Sequence, residues 1–139
     1  MIKICSLQPQ LIDYVSDDID EFLTNLDNYS NNEYTKETVL KQLSNNELYA
    51  LLILDDSEIV GICLYDFSTF HTSKKVFNLL MLGGVEMSIW FDTFHTYIKD
   101  LAKFENCDAL KVFAARKGWE KFAIKHDYKT VLTQYEIAL

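Results

Sequence analysis

The residues equipped for chemistry are few, and one group of them sits together: Gly83, Gly84, Glu86 and Ser88, between an apolar run and a helical pattern. A glycine pair there lets the backbone turn sharply. Glu86 at the start of the following helix complements the positive end of the helix dipole, an effect of roughly 0.3–1 kcal/mol. His71, His95 and His126 share no metal-ligand spacing, and Cys5, Cys63 and Cys107 form no Cys-x-x-Cys pair, so no metal is expected. Each histidine reads as an ordinary surface or half-buried residue. Neither a Walker lysine motif nor a Gly-x-Ser-x-Gly elbow is present. Lys117, Lys121 and Lys125 recur every fourth residue, with Lys129 following, as one basic helical face.

The elements that must position these groups follow from periodicity. Lys75 to Leu82 is too apolar to keep one face in water and reads as a central strand covered on both sides. After Gly83-Gly84, the residues Met87, Trp90, Phe91, Phe94, Ile98, Leu101 and Ala102 form one apolar helical stripe; Asp92, His95, Thr96, Lys99, Asp100 and Lys103 lie opposite. Ala109 to Ala115 supplies a second strand, and strand, helix and strand with short joints imply parallel neighbours. Upstream, Ile2 to Leu7 is a strand, Pro9 opens a helix running toward Leu26, and Thr35 caps a second helix closed by Asn45-Asn46. Leu48 to Leu54 and Ile59 to Phe67 form a hairpin around Asp-Asp-Ser-Glu, and Ser68 to Ser73 is a loop. A short helix begins near Trp119, and Val131, Thr133, Tyr135, Ile137 and Leu139 alternate as a last strand.

A chain of 139 residues, 49% hydrophobic and with a single proline, makes one domain spanning 1–139 that buries about two thirds of its unfolded surface. Three widely spaced cysteines in apolar contexts are expected as buried, reduced thiols, which places the protein in the cytoplasm. No apolar run reaches membrane-spanning length, so no membrane partner is expected. The net charge of −8 is unevenly spread. Asp13 to Glu58 holds twelve acidic residues against Lys36 and Lys41, whereas Lys111 to Lys129 holds six basic residues against Glu120 and Asp127. The acidic total argues against nucleic acid, while the split allows an acidic 13–58 face to meet a basic 111–129 face on another copy or on a larger assembly.

The element order β, α, α, β, β, β, α, β, α, β resembles the Gcn5-related N-acetyltransferase (GNAT) fold: an α/β domain with a mixed, mostly antiparallel sheet of about six strands and helices on both faces. More narrowly, Gly83-Gly84-Val85-Glu86-Met87 followed by Trp90, and Arg116-Lys117-Gly118-Trp119-Glu120-Lys121-Phe122 ending near Tyr128-Lys129, resemble small acetyltransferase-like proteins of tailed bacteriophages. The resemblance implies acetyl-CoA as cofactor. Its pantetheine arm would pair with the backbone of Val76 to Leu82, including Leu80 and Met81. Its pyrophosphate would lie at Gly83, Gly84 and Ser88, with Arg116 also on the cofactor side.

The resemblance also exposes departures. Family members open the turn with Gln or Arg, two residues, Gly, one residue, and Gly or Ala; here no basic residue opens it, and Glu86 puts a carboxylate beside the expected pyrophosphate. Glu86 is nonetheless the candidate nearest the chemistry for a general base. A family tyrosine that protonates the departing thiolate falls on Ala123 when Asp127-Tyr128 is matched to the family's Gly-Phe pair, with Trp119 and Arg116 at the preceding motif positions. Trp119 reads as a packing anchor. Two functions follow: an N-acetyltransferase with eroded motifs, in the cytoplasm of a host cell, or a non-catalytic virion or adaptor protein built on the same fold.

Overall fold

The structure is a computed structural model and describes residues 1–24, 33–113 and 119–139. Its elements in chain order are β1 (Ile2–Ser6), a single 3-10 turn (Pro9–Leu11), α1 (Ile12–Leu23), α2 (Lys36–Ser44), β2 (Tyr49–Asp55), β3 (Glu58–Thr69), β4 (Lys75–Gly84), α3 (Met87–Phe104), β5 (Ala109–Val112) and α4 (Trp119–Lys125). Among the described residues, five strands form one sheet in the order β1-β2-β3-β4-β5. All neighbours are antiparallel except β4 and β5, which are parallel, as the strand–helix–strand pattern requires.

Local chemistry explains the joints. The Thr35 hydroxyl accepts from the Thr38 amide and Thr38 Oγ1 accepts from the Thr35 amide, a reciprocal cap that starts α2. Asn46, at φ 57°, ends it in the left-handed region that asparagine tolerates. The hairpin turns on Asp56, and the N-terminal ammonium lies 3.3 Å from Asp55 and 3.1 Å from Asp56. β3 runs on to Thr69, so most of the loop expected over Ser68 to Ser73 begins later, at Phe70.

The sheet is covered on both faces, and β4 accordingly reads as apolar on both. On one face α3 lays Trp90, Phe91, Phe94 and Ile98 over Phe77, Leu79 and Leu82. On the other, α1 and α2 bring Ile19, Leu23, Val39 and Leu43 against Leu52, Ile62 and Leu64. Tyr65 and Phe77 stack across strands with ring centroids 4.6 Å apart. Among the described residues, no helix is long and apolar enough to cross a membrane.

Four sequence expectations are corrected. Gly83 and Gly84 are not a turn: both end β4 in extended backbone, and the chain turns at Glu86, with φ 53° and ψ 43°. The reason is Trp90. A Cβ on Gly84 would lie 2.6 Å from the Val60 carbonyl oxygen and 2.8 Å from the Trp90 ring, and one on Gly61 would lie 2.9 Å from the Gly83 oxygen. The glycines make room for an indole. That indole, 1% exposed, donates to the Val85 carbonyl at 2.8 Å.

Residues 131–139 form no strand and are exposed throughout. His95 is 5% exposed instead of lying on a polar face, since α4 packs across that side of α3. Of the cysteines, only Cys63 is buried; Cys5 and Cys107 are half-buried, because they sit at the sheet edge and past the end of α3. All three are free thiols.

Candidate active site

The site begins where two strands part company. β4 and β5 pair from Val76 with Ala109 to Leu79 with Val112, and the Phe113 amide adds one more bond to the Leu79 carbonyl at 3.1 Å. β4 then continues to Gly84 without β5 beside it. Among the described residues, no strand bonds the alternate N–H and C=O groups of this stretch that point away from β3. The opening starts with a bulge. Leu64 is opposite Met81 and Tyr65 is opposite Leu79, so Leu80 stands outside the ladder on β4. The extra residue also resets the alternation: Leu79 and Leu82 face α3, while Leu80 and Met81 both pack with the α1–α2 layer.

The wedge leads to the N-terminus of α3. Glu86 occupies the cap position, and no side chain caps the helix. The first amide with an in-helix partner is that of Ile89, bonded to the Glu86 carbonyl at 3.0 Å, so the amides of Met87 and Ser88 sit among the donors that a helix start leaves open. Glu86 and Ser88 are exposed there. The structure thus brings Leu80, Met81, Gly83, Gly84, Glu86 and Ser88 into one continuous strip from bulge to helix start. Arg116 lies outside the described residues.

At the bulge lies a polar group that the sequence reading missed. Asn78, 6% exposed, donates through Nδ2 to Asp66 Oδ1 at 2.9 Å and to Ser68 Oγ at 2.8 Å. Asp66 is directly across from Asn78, two residues before the bulge, hence about 7 Å along the strand. By strand alternation it shares the face of Ile62 and Leu64, the α1–α2 face, with the side chains of Leu80 and Met81. Burial raises the Tyr34 phenol pKa, and the negative charges of Asp66 and Glu33 raise it further. Lys111 is the register partner of Asn78 on β5 and holds its ammonium 4.9 Å from the centre of the Phe70 ring. The signal was available in the sequence. An asparagine inside Val76-Phe77-Asn78-Leu79-Leu80 is a polar group in a strand read as buried on both faces, and such groups need partners.

α4 closes over the other side of α3. Trp119 meets Phe91 edge-on at 5.7 Å and Phe122 meets it at 4.3 Å, so the expected packing role of Trp119 is what the structure shows. Ala123, at the position matched to a catalytic tyrosine, is half-buried and has no proton to give. Beside it, the His95 ring is 4.2 Å from that of His126, and His95 Nε2 lies 2.8 Å from the Tyr128 hydroxyl. Burial lowers the His95 pKa to about 4, helped by His126 and Lys99 and opposed by Asp92; burial alone pushes Tyr128 up to about 12. Lys125 and His126 both approach Asp92, at 3.3 and 3.4 Å. The basic face is therefore partly neutralised within the chain. On the acidic segment, Asp20 is likewise paired with Lys36.

A groove of about 460 Å³ lies at the opposite edge of the sheet, between β1 and α3, lined by Ile2, Ile4, Tyr97 and Asp100 among others. Two strands, β2 and β3, separate β1 from β4, and the groove holds no buried acid–base pair.

A five-stranded sheet that splits after its fourth strand, with a bulge at the split and a helix N-terminus at the mouth, defines the fold class of the GNAT acetyltransferases. Solved structures agree with that assignment. A ribosomal-protein-alanine N-acetyltransferase from Brucella melitensis biovar Abortus 2308 superposes with TM-score 0.74 at 12% identity, covering 100% of this chain and 99% of its own. A probable acetyltransferase reaches 0.76 at 17% identity, covering 99% and 97%. An aminoglycoside acetyltransferase from an uncultured soil metagenomic sample, in complex with sisomicin, reaches 0.73 at 15% identity, covering 99% and 96%. No protein-family model and no curated protein sequence matches the chain.

Proposed function

We propose that the chain is an acetyl-CoA-dependent N-acyltransferase. The observation that carries this reading is the parting of β4 from β5 after Leu79, with Leu80 bulged out of the ladder at the apex. The residues present fit coenzyme A where recognition runs through backbone. The open β4 edge offers strand-like hydrogen bonds to an extended arm, and the start of α3 offers uncapped amides, the positive end of the dipole and the Ser88 hydroxyl to a pyrophosphate. They fit it less well in charge, because Glu86 brings a carboxylate to the same place. When bound, the cofactor supplies an acetyl thioester open to attack by an amine.

The chain's own groups have distinct tasks. Leu80, freed from the ladder by the bulge, presents backbone at the apex for a carbonyl oxygen that gains negative charge; a fixed dipole needs no reorganisation as that charge develops. Asp66 is held by Asn78, which suits it to hold an ammonium group and take its proton, a task that Glu86 at the far end of the strip is badly placed to do. Trp119 and Phe122 fix α4 against Phe91. Calorimetry with acetyl-CoA at millimolar concentration tests the reading. Heat of binding and a raised melting temperature are expected, and absence of both removes it.

A second reading is a non-catalytic assembly module of phage type, acting in a virion or as an adaptor. Ala123 in place of a proton donor favours it. In this reading the exposed Lys121 and Lys129 meet acidic residues of the 13–58 segment on a neighbouring molecule. Its test is co-purification with particles; absence from them removes it.

A further inference from the structure

The joint between β4 and α3 is held in a conformation that its own residue does not favour. Glu86 sits there at φ 53° and ψ 43°, in the left-handed region, where a side chain crowds the carbonyl oxygen that follows it. Its carboxylate does not cap the helix. Other groups keep the turn in place.

The residue before the turn is gripped on both sides. The Val85 amide bonds to the Val60 carbonyl at 2.9 Å, which carries the β3–β4 ladder one residue past the pairing of Gly61 with Gly84. The Val85 carbonyl accepts from Trp90 Nε1 at 2.8 Å, and the Glu86 carbonyl accepts from the Ile89 amide at 3.0 Å. Trp90 is thus bonded back across the turn. The ring has no room to shift: it is 1% exposed, meets Phe94 edge-on, and would lie 3.0 Å from a Cβ on Gly61 and 2.8 Å from one on Gly84. A buried indole has one polar atom, and this one uses it on the carbonyl that enters the turn. The turn in turn sets the direction of the Met87 and Ser88 amides relative to the open half of β4. Hydrogen bonds weaken steeply once their donors are misaligned.

We infer that Trp90 is a positioning residue for the cofactor's phosphates: by holding the Val85 carbonyl it keeps Glu86 in the left-handed turn and aims the Met87 and Ser88 amides at a pyrophosphate lying beside β4. This role rests on the acetyl-CoA reading and adds to it the group that orients the donors. Trp90 acts through the backbone of 85–88, not by contact with the ligand.

Calorimetry with two ligands separates this role from a merely structural one: acetyl-CoA, and acetyl-pantetheine, which has the same thioester arm without pyrophosphate or nucleotide. The parent is expected to bind acetyl-CoA the more tightly. Trp90→Phe keeps a ring and deletes the donor, so it should weaken acetyl-CoA binding roughly tenfold, the scale of one hydrogen bond to a charged group, and leave acetyl-pantetheine within about twofold. A second change reads the turn itself. Glu86→Gly and Glu86→Gln both remove the carboxylate, but only glycine adopts positive φ freely, so in the Trp90→Phe background Glu86→Gly should recover more of the lost acetyl-CoA affinity. Circular dichroism checks folding; where Trp90→Phe fails it, benzothienylalanine at position 90, with the indole's shape and sulfur in place of N–H, decides. A parent that binds neither ligand removes the acetyl-CoA reading and this role with it. A parent that prefers acetyl-CoA while Trp90→Phe keeps that preference overturns the role of Trp90 alone. So do an equal loss of both ligands in Trp90→Phe, a parent without preference between them, and equal recovery by the two changes of Glu86.

Discussion

The two halves of β4 differ in one respect that decides what each can do. From Val76 to Leu79 the strand is paired on both sides and its residues are buried. From Leu80 to Gly84 it keeps β3, and among the described residues β5 no longer pairs with it. The first half resembles any central strand of a mixed sheet. The second is equally apolar, yet it presents open backbone groups beside a helix start. The contrast teaches that this candidate site is made by withdrawing a strand, not by adding reactive side chains. It also explains why a search for acid–base motifs in the sequence returned so little.

The largest effect expected from breaking the contrast is at its boundary. Asp66 stands on the closed side and serves the open side only if the apex is where chemistry occurs. Asp66→Asn keeps a partner for Asn78 and removes the proton acceptor, so acetyl transfer to an amine should fall by roughly 10²–10⁴-fold. Acetyl-CoA affinity by calorimetry should stay within about twofold, because the carboxylate is not among the groups assigned to the cofactor. Equal loss of both would make Asp66 a structural residue.

Next in size is Gly84→Ala. Its Cβ would meet the Val60 carbonyl oxygen at 2.6 Å, a backbone atom that cannot swing away, and the Trp90 ring at 2.8 Å. Overpacking of this sort costs about 1–3 kcal/mol, read as a lower midpoint in urea unfolding. A neutral result would mean that the open half is looser than its packing against Trp90 implies.

The same contrast of sealed and polar contact recurs on α3. Toward the sheet it is apolar and insensitive to pH; toward α4 it carries His95, His126 and Tyr128, with Asp92, Lys99 and Lys125 around them. His95 titrates near 6.5 in the unfolded chain and at about 4 in the folded one, so the unfolded chain binds the extra proton. This stability is fully present above about pH 6.5 and drains away as pH falls toward 4. The urea midpoint should drop across that window, and His95→Gln, which retains a hydrogen-bonding group for Tyr128, should flatten the drop. An unchanged profile in the variant would assign the acid sensitivity elsewhere.

How far the sequence reached follows from the same physics. The long stripe from Met87 to Ala102 and the apolar run from Val76 to Leu82 can be satisfied in one way only, so α3 and β4 were legible, and the parallel β5 followed from their order. The strip Leu80 to Ser88 was singled out through resemblance to a known fold. The role of its glycines was not, because close approach of Trp90 and Val60 to Gly84 arises only when distant segments meet. His95 looked polar because helical periodicity assigns faces to a helix with one neighbour, and α3 has two. The tail looked like a strand because its alternation is a strand's; the partner that alternation needs is not encoded in local pattern.

The smallest effect separates the two glycines. A Cβ on Gly83 would come no nearer than 3.7 Å to anything, the closest atom being the Phe22 carbonyl oxygen, which is ordinary contact. Gly83→Ala should therefore leave stability within about 0.5 kcal/mol of the parent, in contrast to Gly84→Ala one residue on. Gly83 lies in the open half, but its methyl would point out of the sheet toward Phe22 and Met81 and leave the in-plane edge groups free. Acetyl-CoA binding heat should therefore also be kept if the cofactor arm lies along the strand edge. Loss of that heat with an unmoved urea midpoint would place the arm over the α1 face of β4 instead of along its edge.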